Sequence, residues 1–188
     1  VRARYIDPLE CIWLGFASTI GMRVERSDEV YAAWDGAGTL TLSTPDAFDP
    51  DDSIAQMVLH EVCHALVQGD DSVALPDWGL DNQSERDVVR EYACHRLQAA
   101  LLEPLGLRWA LAPTTDHRWY YDALPQDPLE GDSPEATLAR GGYQRACTGA
   151  WSAPLALALR HTAQIAQWAT AGAPADSVWR AEPPSRKG

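Results

Sequence analysis

Positive charge is scarce in this chain. Lys187 is its one lysine, and 15 basic residues face 27 acidic ones, for a net charge of −12. That balance argues against a nucleic-acid or anionic-membrane partner. It favours solubility and mildly favours neutral or cationic ligands. The excess of arginine over lysine is read as coding bias and carries no functional weight. Long hydrophobic runs are also missing. No apolar stretch approaches 18 residues, so no membrane-spanning helix is expected. No basic-then-apolar leader opens the chain, although a processed leader or pro-segment would leave none before Val1. The expected compartment is the cytoplasm, with a secreted or periplasmic location left open by that N-terminus. Cysteine is sparse: Cys11, Cys63, Cys94 and Cys147 are widely spaced, with no CxxC pair. They allow three disulfide pairings and read most simply as buried thiols.

What is present is ordinary for a globular protein. The 188 residues fit one domain, long enough to bury a core without staples. Apolar residues make up 46% and charged residues 22%, and eight tryptophans point to a well-filled core or an aromatic-lined cleft.

Along the chain, Asp7-Pro8 has the form of an N-cap followed by proline at the first helical position. "LECIWLGFASTIG" then predicts a helix ending at Gly21. Residues 22 to 44 alternate well enough to predict two or three short antiparallel strands, with "DGAG" as a turn. A loop rich in proline and aspartate leads to a helix from about Asp52 to Gln68, capped by Asp51, Asp52 or Ser53 and ended by Gly69. Residues 69 to 83 form an acidic loop. Ser84 then caps a second helix, stopped by Pro104 and Gly106. A short aromatic segment, "RWYYDALP", follows. Two more helices are expected: Pro134 to Cys147, interrupted at Gly141-Gly142, and Pro154 to Ala171. The expectation is an α+β fold, mostly helical, with a small antiparallel sheet before the central helix. One domain spans residues 1–172, helical from about 105, and 173–188 form a disordered tail.

The chemistry concentrates in His60-Glu61-Val62-Cys63-His64. Residues i and i+4 share a helix face, so His60 and His64 can aim both imidazoles at one point. Two of the ligands of a catalytic zinc need that geometry. Glu61 sits about 100° round the helix. From there a carboxylate can reach a water on the metal without ligating it and can take its proton. Three fixed positions in five occur by chance in many proteins. Here the motif lies mid-helix between apolar flanks and follows a strand-turn-strand signal.

A catalytic zinc usually takes three protein ligands. Glu85, Glu91 and His95 are available on the next helix. Glu91 and His95 share a face at i, i+4. Glu85 lies in the first turn, where a carboxylate is explained by the helix dipole. Cys63 and Cys94 each precede a site histidine and can lie close together if the helices pack across a shared metal. A disulfide between them is one option, two small buried thiols the other.

The pentapeptide, followed by a helix bearing a glutamate and a polar residue four later, resembles the gluzincin branch of the zincin metallopeptidases. "REYACHRLQAALLEP" is also similar to the glutamate helix of small bacterial gluzincins. The resemblance covers roughly residues 23 to 104. It implies a zincin-like fold, zinc, a peptide or protein substrate, and Glu91 as third ligand. It also implies that the residue four later supports the first histidine. His95 stands where aspartate or asparagine is usual. That leaves two arrangements: Glu91 ligates and His95 buttresses it or touches substrate, or His95 ligates with Glu91 behind it. A three-histidine site would be more open to Fe2+ or another redox metal, and so to oxidative modification of a peptide or small molecule. A third reading is an inactive zincin-like binding module, against which Glu61 speaks, since a structural site needs no base.

Peptide hydrolysis also needs a group to stabilise the oxyanion. "DHRWYYDAL" offers His117, Arg118, Tyr120 and Tyr121, and Tyr143 is a further option; His117 and Tyr121 are favoured. In the loop joining the two site helices, Trp78 with Asp77 or Asp81 could touch substrate or fix the loop. Asp81 could also brace a ligand histidine.

Overall fold

The computed structural model describes residues 3, 5–81 and 85–182. The expected Ser84 cap and the end of the tail, residues 183–188, lie outside the described residues. Helix α1, Pro8–Thr19, starts as its sequence dictates: Asp7 Oδ1 accepts from Leu9 N at 2.9 Å, and Pro8 fills the first position. Its Leu9, Trp13, Phe16 and Ala17 are buried. Gly21, at φ 81°, turns the chain into the sheet.

Three strands follow: β1 (Arg23–Ser27), β2 (Ala32–Trp34) and β3 (Thr39–Ser43). Their spatial order is β1-β3-β2. β2 and β3 run antiparallel, with Ala33 opposite Thr41, as expected. β1 and β3 run parallel, with Val24 opposite Leu40, so the sheet is mixed and the all-antiparallel expectation is corrected. Residues 28–31 carry the chain past the place of β3 before it turns back, and Ser43 N donates to Tyr31 O at the far end of the turn. β3 is central, and its Leu40 and Leu42 are fully buried.

Helix α2, Ile54–Gln68, is the hub. Ser53 Oγ accepts from Gln56 N at 3.1 Å, and Gly69, at φ 96°, ends it. Every residue from Ile54 to Val67 is buried. A helix buried on all sides must be surrounded, and α1, α3 (Val88–Leu102) and α5 (Pro134–Thr148) pack on it. Arg145 of α5 donates to the carbonyls of Leu66 and Val67, which would otherwise be orphaned at the end of α2. α5 is continuous, so Gly141-Gly142 does not interrupt it. A Cβ at Gly142 would stand 2.9 Å from Leu97 Cδ2 and 3.3 Å from Val67 Cγ2. Glycine is there to let α5 approach α2 and α3.

Short α4, Arg118–Ala123, packs on α3, and α6, Ser152–Gly172, packs on α1. Trp13 Nε1 donates to Thr162 Oγ1 at 3.0 Å, tying α1 to α6. The described part of the expected tail from 173 contains a short turn that packs on the helices. Ser177 caps a turn at Val178–Arg180, Trp179 packs against the core, and Thr170 Oγ1 donates to Trp179 O at 3.0 Å. The fold is α+β. Among the described residues no helix is long and apolar enough to cross a membrane.

Candidate metal centre

Helices α2 and α3 pack side by side and bring His60, His64, Glu91 and His95 together. His60 Nε2 and His64 Nε2 are 3.2 Å apart. His64 Nε2 lies 3.3 Å from Glu91 Oε2, and His60 Nε2 lies 3.6 Å from Glu91 Oε1. Donors around a tetrahedral metal at about 2.0–2.1 Å stand about 3.3–3.4 Å apart along each edge. The two ring nitrogens thus stand near that edge length from each other and from Glu91, which meets His60 with Oε1 and His64 with Oε2. His60, Glu91 and His95 also bring one donor each within 4.8 Å of one another, as do His60, His64 and Cys94.

The protons can be placed from the partners. Gln98 Nε2 donates to Leu111 O at 2.8 Å, so its Oε1 faces His60 Nδ1 at 3.0 Å. His60 must then carry its proton on Nδ1, leaving the Nε2 lone pair toward His64. Burial pushes the His64 imidazole down to about 4, against the pull of Glu91. Burial also lowers His95, again against Glu91. For Glu91 itself burial acts upward, but His64, His95 and His60 outweigh it and hold the carboxyl well below the usual range. Burial thus favours neutral imidazole at His64 and His95, and the histidines favour carboxylate at Glu91, the forms in which these groups bind a divalent metal.

His95 is fully buried and its Nε2 lies 3.0 Å from Glu91 Oε1. A neutral imidazole with its proton there donates to Glu91 and orients it. Thr115 Oγ1 is 3.4 Å from the same nitrogen. The support that the resemblance assigned to the residue four after Glu91 reaches Glu91. His60 is held instead by Gln98, seven residues after Glu91. Sequence reasoning missed Gln98. The available signal was a glutamine in the apolar run "LQAALL", two turns on from Glu91 and on the same face.

Glu61 is 8% exposed. Burial pushes its carboxyl up, opposed by His60 and by the Trp78 indole, whose Nε1 donates to Glu61 Oε2 at 2.8 Å. Trp78 is buried and stacks on Trp34, ring centroids 4.4 Å apart and 6° from parallel, so it fixes the loop. Asp77 and Trp78 both hold left-handed backbone, at φ 47° and 57°. Each such non-glycine residue costs about 1–3 kcal/mol. Trp34 N donates to Asp77 Oδ1 at 3.1 Å, which helps to offset that strain. Asp81, named as a possible brace for a histidine, lies beside Arg86, and its backbone N–H donates to Asp87 Oδ2 at 2.9 Å.

The aromatic segment divides. His117 stands at the N-cap position of α4 without a side-chain cap bond, is half-buried and meets the Tyr92 ring edge-on at 5.4 Å, one residue from Glu91. Tyr121 is corrected as an oxyanion group: it is fully buried and its hydroxyl donates to Arg108 O at 2.8 Å. Its ring packs against those of His95 and Trp109. Tyr120 stacks on Tyr92, and its hydroxyl accepts from Arg96. Cys63 and Cys94 are buried free thiols rather than a disulfide. Burial and then contact with Cys63 push the Cys94 thiol well up, and it donates to His60 O at 3.4 Å, so it remains a thiol.

Comparison with known proteins finds no match: no family model, no curated protein and no solved structure matches the chain.

Proposed function

We propose that the protein is a zinc-dependent hydrolase of peptide bonds, with His60, His64 and Glu91 holding the metal. The single observation that carries this reading is the convergence of His60 Nε2, His64 Nε2 and the two Glu91 carboxylate oxygens at 3.2–3.6 Å, with Glu61 next to His60 in the chain. A bound zinc ion would supply a water of near-neutral pKa and polarise the scissile carbonyl. The chain's own residues do the rest. Gln98 fixes the His60 tautomer, His95 orients Glu91, and Glu61 takes the proton from the attacking water and passes it to the leaving amine. The raised carboxyl of Glu61 suits that role, because a base works best with its pKa near the working pH. His117, half-buried against Tyr92, is the candidate group for a developing oxyanion. The substrate class, a peptide or protein, is what the motif's resemblance implies, and the net charge of −12 disfavours nucleic acid and anionic membrane. A cytoplasmic location is part of the same reading.

Glu61→Gln is the test. The variant should bind zinc as wild type does and lose peptide hydrolysis. Full activity in that variant overturns the mechanism. A second reading has one observation in its favour: His60, Glu91 and His95 form a two-histidine, one-carboxylate group, the set that holds non-haem iron. Metal analysis of protein purified without added metal separates the two. Dominant iron with oxygen-dependent turnover favours the second.

A further inference from the structure

Glu61 has a partner whose placement is costly. The Trp78 indole reaches Glu61 Oε2 from a turn in which Asp77 and Trp78 both adopt left-handed backbone. Strand β2 holds that turn in place. Trp34 stacks on the indole, its backbone N–H binds Asp77 Oδ1, and its own Nε1 donates to Val73 O at 2.9 Å. The β2–β3 turn presses on the same loop, where a Cβ at Gly36 would stand 2.9 Å from the Leu75 carbonyl carbon. Strain braced from several sides, aimed at one carboxylate oxygen, is the pattern of a functional constraint.

An untethered glutamate exchanges its two oxygens by rotation about the last side-chain bond, whose preference is broad. With Oε2 tied to Trp78, the carboxylate plane is set. Oε1 carries no hydrogen bond among the described residues and is left to accept a proton. We propose that Trp78 is a positioning residue for Glu61, and that β2, through Trp34, holds it in register. The catalytic meaning of this rests on the hydrolase reading; the hydrogen bond itself does not.

Trp78→Phe keeps a ring against Trp34 and removes the N–H. In the zinc-loaded full chain, zinc affinity by chelator competition should match wild type. On a fluorogenic mixed-peptide library, kcat should fall up to about 100-fold with KM unchanged, as misplacement of a catalytic group does. Trp78→His, which restores a ring N–H, should recover part of the loss. Unchanged kcat in Trp78→Phe overturns the proposal. A second measurement needs neither substrate nor a folded Trp78 variant. The Trp78 indole N–H signal in a 1H–15N spectrum, assigned from its own backbone, should move upfield in Glu61→Ala, which removes the acceptor. A signal that stays in place shows that the bond is absent and the proposal wrong, whatever the activity. A wild-type protein that cleaves no peptide, with the signal moving as expected, overturns the hydrolase reading and leaves the tether standing.

Discussion

Gln98 decides which way His60 faces. It is fully buried and uses both ends of its amide, on His60 Nδ1 and on Leu111 O. Gln98→Leu should weaken zinc binding about 10–100-fold, measured by chelator competition, since outer partners of ligand histidines carry that much. His64 gives a pH prediction. Its pKa falls from 6.5 to about 4 on folding. Between those values the unfolded chain binds the extra proton and the folded chain does not, so stability falls as pH falls through that window. The full effect is about 3 kcal/mol. Chelator-treated wild type should therefore lose Tm more steeply from pH 6.5 to 4 than His64→Asn, which lacks the group. At this scale the pentapeptide and Glu91 were legible because i, i+4 spacing is a property of the helix alone. Gln98 and Thr115 were not: one is marked only by polarity in an apolar run, and the other is brought in by a loop from 20 residues after His95. Tyr121 was misjudged because sequence does not tell which tyrosine of "RWYYDAL" turns inward.

At the scale of elements, local signals held where the cause was local. Asp7, Ser53 and Gly69 end helices through bonds and backbone angles within a few residues, and each was readable. The direction of β1 was not, because alternation encodes which face a residue takes and not which neighbour its strand pairs with. Gly141-Gly142 was read as a break from propensity, which costs about 1 kcal/mol per glycine in a helix interior. Packing overrode it. The prediction follows from that contact. Gly142→Val should overfill the junction of α5 with Leu97 and Val67 and destabilise the protein by about 1–3 kcal/mol, read by denaturant unfolding. Gly141→Ala, whose Cβ would meet only the far end of Arg145, should be tolerated.

For the whole molecule, binding of a metal by the folded state alone raises stability by mass action. Free zinc at 100 times its Kd is worth about 2.7 kcal/mol. For a chain of this size that is a Tm increase of roughly 5–10 °C, reversed by chelator. Scanning calorimetry with zinc, iron and calcium salts would check the effect and rank the metals. The α+β class was legible in the order of patterns along the chain. The resemblance to gluzincins rests on two helices and remains a proposal for the whole.

The bond between Trp13 and Thr162 joins residues 149 positions apart. Its consequence is kinetic. Helix α1 precedes nearly everything it packs against, and the groove that receives Trp13 is incomplete until α6 has docked. Ordering a contact at that separation carries a large loop-closure cost, and such contacts slow folding. Refolding should therefore end with the docking of α1, visible as a late change in Trp13 emission after the α2–α3 pair has formed. A circular permutant that brings α1 next to α6 in sequence should lose that slow phase while keeping the same metal centre.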